Sequence, residues 1–390
     1  MLAVACATAP RGLKTNPWII YNGGRPPVHS CRQSGPLTNT RRFGDALYLQ
    51  PALDCTMDIS DGIEDRAAAG DAEAMTQLGK LALAGKAKPR TAQDGARLLL
   101  AAAEKGSAEA DCVISVVIGI DAKEPKDWSL ALGYLQRAAE RGWPSAREQL
   151  CVLTADRELA RSVVEGRHDS AAWEQLRSTI DMTSLLKPPA IRAVSNSPRI
   201  GVLEQFAGVS ECKWMIARAQ SRTDRAKVFD QSRGGELLDE SRTNSAMLFR
   251  FLDMDFVLAI LRARIAEATR SSRASLEDTN VLHYAVGQAF TRHFDFYDPA
   301  LPANAAEIAA TGQRVGTFLL YLNDDFDGAE TEFPEIGWRY RGKPGDALYF
   351  MNVDEAGRPD RRTMHAGLAP TQGEKWLLSQ WIRGVPGVGL

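Results

Sequence analysis

The sequence predicts an α+β multidomain chain: an N-terminal α-helical repeat solenoid, then a double-stranded β-helix (jelly roll) with buttressing helices. Three observations predict it. Short blocks beginning at Gly70, Gly106 and Gly142 recur at an equal spacing of 36 residues. After residue 198, short apolar strand-like runs alternate with Gly-containing turns. Between the two regions, Lys187-Pro188-Pro189 breaks the helical pattern. A period in this range marks stacked helical hairpins. Short strands joined by Gly-rich turns mark a double-sheet jelly roll.

The bulk numbers exclude several classes. The 390 residues are 44% apolar and 25% charged, ordinary for a globular chain and long enough for two or three domains. A formal net charge of −2 gives no bulk attraction to nucleic acid or to an anionic membrane, and neither partner is expected. No apolar run approaches the ~20 residues of a membrane span. Six scattered cysteines, none at zinc-ligand spacing, fit a reducing compartment, so a cytoplasmic location is expected.

In chain order, residues 1–56 are rich in Pro, Gly, Arg, Asn and Ser and lack periodicity, so they are expected to be disordered. Met57-Asp58-Ile59-Ser60-Asp61 reads as an acidic helix start. Whether residues 1–56 belong to the natural protein stays open. Residues 57–186 hold the repeats and their capping helices. Leu99 and Leu135, Ala102-Ala103-Glu104 and Ala138-Ala139-Glu140, and Pro89 and Pro125 share the repeat offset. Gly ends helices, Ala pairs let helices approach, and a single hairpin cannot cover its own apolar face, so neighbours must stack. Leu78-Gly79 and Ala102-Ala103-Glu104-Lys105-Gly106 resemble the Sel-one-like branch of tetratricopeptide repeats, with a departure at Ser115, where that family often has Gly. The resemblance implies a protein-binding module; the alternative is an appendage that only packs on the next domain. His168 is read as an exposed turn residue. Residues 187–197 are expected to be a linker, 198–384 the catalytic domain and 385–390 a tail.

In the second half, strand patterns are expected at Pro198–Leu203, Val281–Tyr284, Val315–Leu322, Ala347–Met351 and Trp376–Ile382. Helices are expected around 210–219 and 253–268, the latter carrying an apolar stripe of Phe256, Val257, Ile260, Leu261 and Ile265. Because a jelly-roll core closes on itself, a fragment from about Ile191 onward is expected to fold alone.

The chemistry centres on His293 and Asp295. Two apart in an extended strand, they project to one face. His365 supplies a second imidazole. Two His and one carboxylate hold Fe(II) on one face of an octahedron and leave three positions open. A 2-oxo acid binding through two atoms, with dioxygen, needs three. Lys375 offers a cation for the far carboxylate of a 2-oxo diacid. His283 alternates to the opposite face and is not read as a ligand.

From about Pro198 to Arg383 the chain resembles the prolyl 4-hydroxylase family of Fe(II)- and 2-oxoglutarate-dependent dioxygenases. The matching stretches come in the family's order: Asp239 to Ser245, Leu282 to Gln288, His293-Phe294-Asp295, Gly312 to Asn323, Gly328 to Pro334, Gly345 to Phe350, His365-Ala366-Gly367 and Gly373-Glu374-Lys375-Trp376. The resemblance implies that His293, Asp295 and His365 bind Fe(II). It implies that Lys375 holds 2-oxoglutarate, helped by Tyr284 and Thr331, and it places Arg314 and Gln313 on the substrate side. Trp381 is open between a place near the metal and plain core packing. Related halogenases lack the carboxylate, so Asp295 favours hydroxylation. Implied too are O2 as co-substrate, ascorbate as a rescuer of oxidised iron, and a protein or peptide substrate recruited by the repeats, with proline as the expected target. The alternatives are a free amino acid or another small molecule as substrate, or a repeat scaffold with an inactive oxygenase domain.

Overall fold

The computed structural model describes residues 40–43, 46–49, 62–165, 170–230 and 234–384. Within the segment expected to be disordered, strands β1 (Thr40–Phe43) and β2 (Ala46–Leu49) pair as an antiparallel hairpin. The rest of residues 1–56, His168 and the tail 385–390 lie outside the described residues.

Nine helices follow among the described residues: α1 (Ile63–Ala68), α2 (Ala72–Leu83), α3 (Ala92–Glu104), α4 (Ala108–Asp121), α5 (Pro125–Glu140), α6 (Pro144–Leu153), α7 (Arg157–Glu165), α8 (Ser170–Ser178) and α9 (Met182–Leu186). The 36-residue period marks three equivalent helix ends. Gly70, Gly106 and Gly142 take φ of 88°, 96° and 91°, a region that only glycine enters without strain. At each, the next amide reaches back to close the helix: Asp71 to the Arg66 carbonyl, Ser107 to Ala102 and Trp143 to Ala138. Asp71 and Ser107 then cap the following helices.

The departure at Ser115 has a local explanation. Where α2 meets α3, a Cβ on Gly79 would lie 3.0 Å from the Gly95 carbonyl, and one on Gly95 2.7 Å from the Gly79 carbonyl. The equivalent positions on α4 and α5 are Ser115 and Ala131, so those helices meet through small side chains instead. Ser115 is fully buried and returns its hydroxyl to the Cys112 carbonyl of its own helix.

The second half holds β3 (Arg192–Asn196), β4 (Arg199–Leu203), α10 (Val209–Ala219), β5 (Asp224–Arg225), β6 (Val228–Phe229), β7 (Glu236–Leu237), β8 (Ser245–Phe249), α11 (Phe256–Thr269), β9 (Thr279–Tyr284), β10 (Phe290–His293) and α12 (Pro302–Thr311). It continues with β11 (Arg314–Tyr321), β12 (Phe326–Gly328), β13 (Thr331–Phe333), β14 (Trp338–Tyr340), β15 (Ala347–Met351), β16 (His365–Gly367), β17 (Pro370–Gly373) and β18 (Lys375–Arg383). An eight-stranded sheet runs β3-β4-β15-β11-β18-β9-β8-β5 and a four-stranded sheet β10-β16-β13-β14; all the pairings are antiparallel. The expected linker is shorter than 187–197, because β3 already pairs with β4 as the edge of the large sheet. Outside these two sheets, β12 pairs with β17.

Alternation assigns the two faces of the large sheet. Val315, Phe318 and Leu320 of β11, with Leu378 and Ile382 of β18, join the apolar cluster shared with the helices. Leu319 and Tyr321, with Leu377, Leu282 and Tyr284, face the small sheet and pack with Phe333. The functional groups lie between the two sheets.

α11 differs from its expected one-sided stripe. Leu258, Ala259 and Ala266 are buried as well, so the helix is covered nearly all round. One side meets the helical half. Phe256 packs 5.9 Å from the Trp128 ring, and a Cβ on Gly119 would lie 3.2 Å from the Phe256 ring. The Gln149 carboxamide oxygen accepts the Phe256 amide at 2.7 Å, and Arg273 donates to the carbonyls of Gly119 and Ala122 at the end of α4. A single apolar cluster runs from Ile63 through the helices to Phe318 and Leu378. The C-terminal half therefore shares its core with the helices, and α11 is covered from both sides.

Candidate metal centre and co-substrate cavity

His293 ends β10 and stands directly opposite His365 of β16 in the strand register. That pairing brings together two imidazoles separated by seventy-odd residues of chain. Asp295 lies just past the end of β10, in a bend rather than in the strand. Its carboxylate still reaches both rings: Oδ1 is 3.7 Å from His293 Nε2 and Oδ2 3.5 Å from His365 Nε2. One ligand atom from each of the three residues lies within 4.8 Å of the others.

The outer contacts fix which atoms face inward. His293 Nδ1 lies 2.7 Å from the Thr291 carbonyl, and His365 Nδ1 3.0 Å from that of Thr363. Each Nδ1–H is committed to a carbonyl, so each Nε2 keeps its lone pair for the centre. Phe290 stacks on His293, and Phe333 and Phe350 flank His365. Desolvation among these groups, reinforced by the neighbouring His365, pushes the His293 pKa down to about 3. Burial works against ionisation of Asp295, but the two imidazoles and the Thr317 hydroxyl outweigh it and lower its pKa. Neutral imidazole and ionised carboxylate are the ligand states that a divalent cation requires. The donor set therefore fits Fe(II) with open positions.

The cavity beside this centre is lined by Arg242, Tyr284, Thr331, Lys375 and Trp381, with the three ligands. Lys375 is fully buried, and among the described residues no carboxylate lies within salt-bridge reach of it. Its Nζ donates to the Ala329 carbonyl at 2.8 Å and lies over the rings of Tyr284 and Tyr321 at 5.4 and 5.2 Å. Burial pushes its pKa down to about 7, partly offset by Glu330. Tyr284 pairs with Lys375 across β9 and β18. Gly367 leaves room for it, since a Cβ there would sit 3.1 Å from the Tyr284 hydroxyl. The Thr331 hydroxyl meets Tyr321 Oη at 2.8 Å. Trp381 lines the cavity, which resolves its two readings toward the centre.

Arg314 and Gln313 do not line the cavity. Arg314 is held by Glu277 at 2.7 and 2.9 Å and stacks on Trp381 at 3.6 Å. Gln313 clamps the backbone of Tyr297. His283 faces away and meets Glu374 at 3.0 Å. Sequence reasoning assigned no role to Arg242, which lines the cavity, or to Tyr321, which lies beside Lys375. Arg242 is a buried guanidinium over the Phe290 ring, donating to the Lys227 carbonyl and to Asn244 Oδ1, and among the described residues no carboxylate pairs with it. Tyr321 underlies Lys375, and its signal was an aromatic in the same β11 register as Leu319.

Residues 279–383 match the 2OG-Fe(II) oxygenase superfamily. The chain is similar to prolyl 4-hydroxylase 1 of Arabidopsis thaliana, 31% identical over 204 residues, covering 49% of this chain and 70% of that one. It is also similar to Arabidopsis prolyl 4-hydroxylase 13, 30% identical over 223 residues, covering 53% and 78%. Among solved structures, a viral collagen prolyl hydroxylase from Paramecium Bursaria Chlorella virus-1 shares 25% identity at a TM-score of 0.38, covering 48% of this chain and 96% of that one. With its His-Asp-His centre and its buried lysine, the chain belongs to the prolyl 4-hydroxylase family of 2-oxoglutarate–Fe(II) dioxygenases.

Proposed function

We propose that this dioxygenase hydroxylates proline side chains in a protein or peptide. The carrying observation is the pairing of a facial His-Asp-His centre with Lys375, a buried amine that has no carboxylate within salt-bridge reach among the described residues. A buried ammonium without an anion is costly, and 2-oxoglutarate supplies that anion beside the metal. Its relatives' names support proline as the target.

In this reading His293, Asp295 and His365 hold Fe(II), and Lys375 takes the distal carboxylate, with Tyr284 and Thr331 shaping its seat. When bound, the iron and 2-oxoglutarate supply the oxidising chemistry: O2 is consumed, the 2-oxo acid becomes succinate and CO2, and one oxygen atom enters the substrate. The chain's own work is to keep one side of the centre open and to wall it with Phe290, Phe333 and Trp381 against water. Ascorbate restores iron oxidised without productive turnover. The nine helices form a Sel-one-like solenoid that engages a protein partner, supported by the three equivalent glycine helix ends. The test is turnover of a proline-containing peptide library with Fe(II) and 2-oxoglutarate, read by mass. Gain of one oxygen on proline is expected; 2-oxoglutarate consumption with oxygen only on another residue type, or only on small molecules, would sink the proline reading.

Two expectations follow for the co-substrate. Lys375→Ala removes a charge-assisted bond worth about 1.5–3 kcal/mol, so the 2-oxoglutarate Kd should rise about ten- to a hundredfold. An unchanged Kd would move the anchor elsewhere. The depressed pKa of Lys375 also sets a pH dependence. The free site is charged below about 7 and neutral above it, and the dianion binds the charged form. The Kd should therefore climb above pH 7, by up to about tenfold per pH unit. Isothermal titration between pH 6 and 9 checks it, and a flat profile would contradict it.

A further inference from the structure

The Asp295 carboxylate has a hydrogen-bond partner that the metal reading leaves unused. Thr317 Oγ1 lies 2.7 Å from Asp295 Oδ2, and Asn352 Nδ2 lies 2.9 Å from the same Thr317 oxygen. All three residues are more than nine-tenths buried. Asp295 is ionised and can only accept, so an oxygen–oxygen distance of 2.7 Å needs the hydroxyl proton between the two atoms. The Asn352 amide enforces that direction. By donating to Thr317, it leaves the hydroxyl one place to send its own proton. Turned the other way, Asn352 would draw the proton off and set two oxygen lone pairs against each other.

We infer that Thr317, oriented by Asn352, is a positioning residue that fixes the rotation of the Asp295 carboxylate at the metal face. The inference rests on the metal reading above. An unrestrained carboxylate can turn to bind through both oxygens and fill one of the three positions that 2-oxoglutarate and O2 need. With Oδ2 tied to Thr317, the carboxylate is held in the rotation that sets Oδ1 3.7 Å from His293 Nε2 and Oδ2 3.5 Å from His365 Nε2. Asn352 also serves the other ligand: its backbone carbonyl accepts the Asp360 amide at 3.0 Å, fastening the segment whose Thr363 carbonyl orients His365.

The test uses the full chain and Mn(II) as probe, with bound metal counted by electron paramagnetic resonance. Thr317→Val keeps the shape and β-branching but removes the hydroxyl. Its Mn(II) Kd should rise about ten- to a hundredfold, the usual effect of losing an outer-shell partner. Thr317→Ser keeps the hydroxyl, loses the methyl, and should bind near wild type. If Thr317→Val does not fold, Thr317→Cys takes its place: it loses the methyl as Thr317→Ser does but offers only a weak donor, and it should bind Mn(II) more weakly than Thr317→Ser, equal affinity overturning the inference. Equal affinity in wild type and Thr317→Val overturns the inference while leaving the metal reading intact. Equal weakening in Val and Ser variants overturns it in favour of packing. Wild type that binds no Mn(II) overturns both.

Discussion

His365→Ala should abolish turnover and lower metal affinity at least about a hundredfold, beyond what outer-shell losses produce. Removing one of three ligands leaves His293 and Asp295 to hold the ion from one edge, and their register was built by the β10–β16 pairing of the two imidazoles. The remaining shell of Phe333 and Phe350 has no donor to replace the lost nitrogen. His293→Ala should do the same. Metal titration with circular dichroism as a fold control checks both. Wild-type turnover in either variant would mean that the metal, or the chemistry, lies elsewhere.

The second large effect concerns the two halves. A fragment of residues 191–390 should fail to give a cooperative fold and should bind no metal. Without the helices, Phe256 loses Trp128, and exposing a side chain of that size costs about 1.5–3 kcal/mol. The Gln149 bond to the start of α11 and the two Arg273 bonds go as well, each about 0.5–1.5 kcal/mol. Several such losses approach the whole stability of a domain, about 5–15 kcal/mol. Thermal melting and a hydrophobic dye would show it. A fragment that melts cooperatively near the full-length temperature would mean that the halves are separable and that the helices serve recruitment alone.

What the sequence revealed and what it hid divide along one physical line. Local pattern carried β11, β15 and β18, because strands buried on both faces show as short apolar runs, as in Val315–Tyr321 and Leu377–Ile382. It carried the three repeat ends, because only glycine fits their backbone. The ligands were legible through residue type and spacing, although Asp295 reaches the centre from a bend. Long-range burial was hidden. The apolar stripe of α11 was visible, but its second covered face depends on Gly119 and Trp128, more than a hundred residues away. β16 escaped because three residues carry no period. Arg314 was misplaced because its residue type suits a substrate, whereas its actual partner, Glu277, is a single acid with no pattern around it. Thr317 stood out only as a polar residue within an apolar strand.

The most direct measurement follows the oxygen atoms. Full-length protein with Fe(II), 2-oxoglutarate and a proline peptide is run under isotopically heavy O2, and both products are weighed. The account predicts one heavy oxygen in succinate and one on the hydroxylated proline, with the two products formed in equal amounts. Succinate without heavy oxygen, or no succinate from metal-loaded protein, would contradict it.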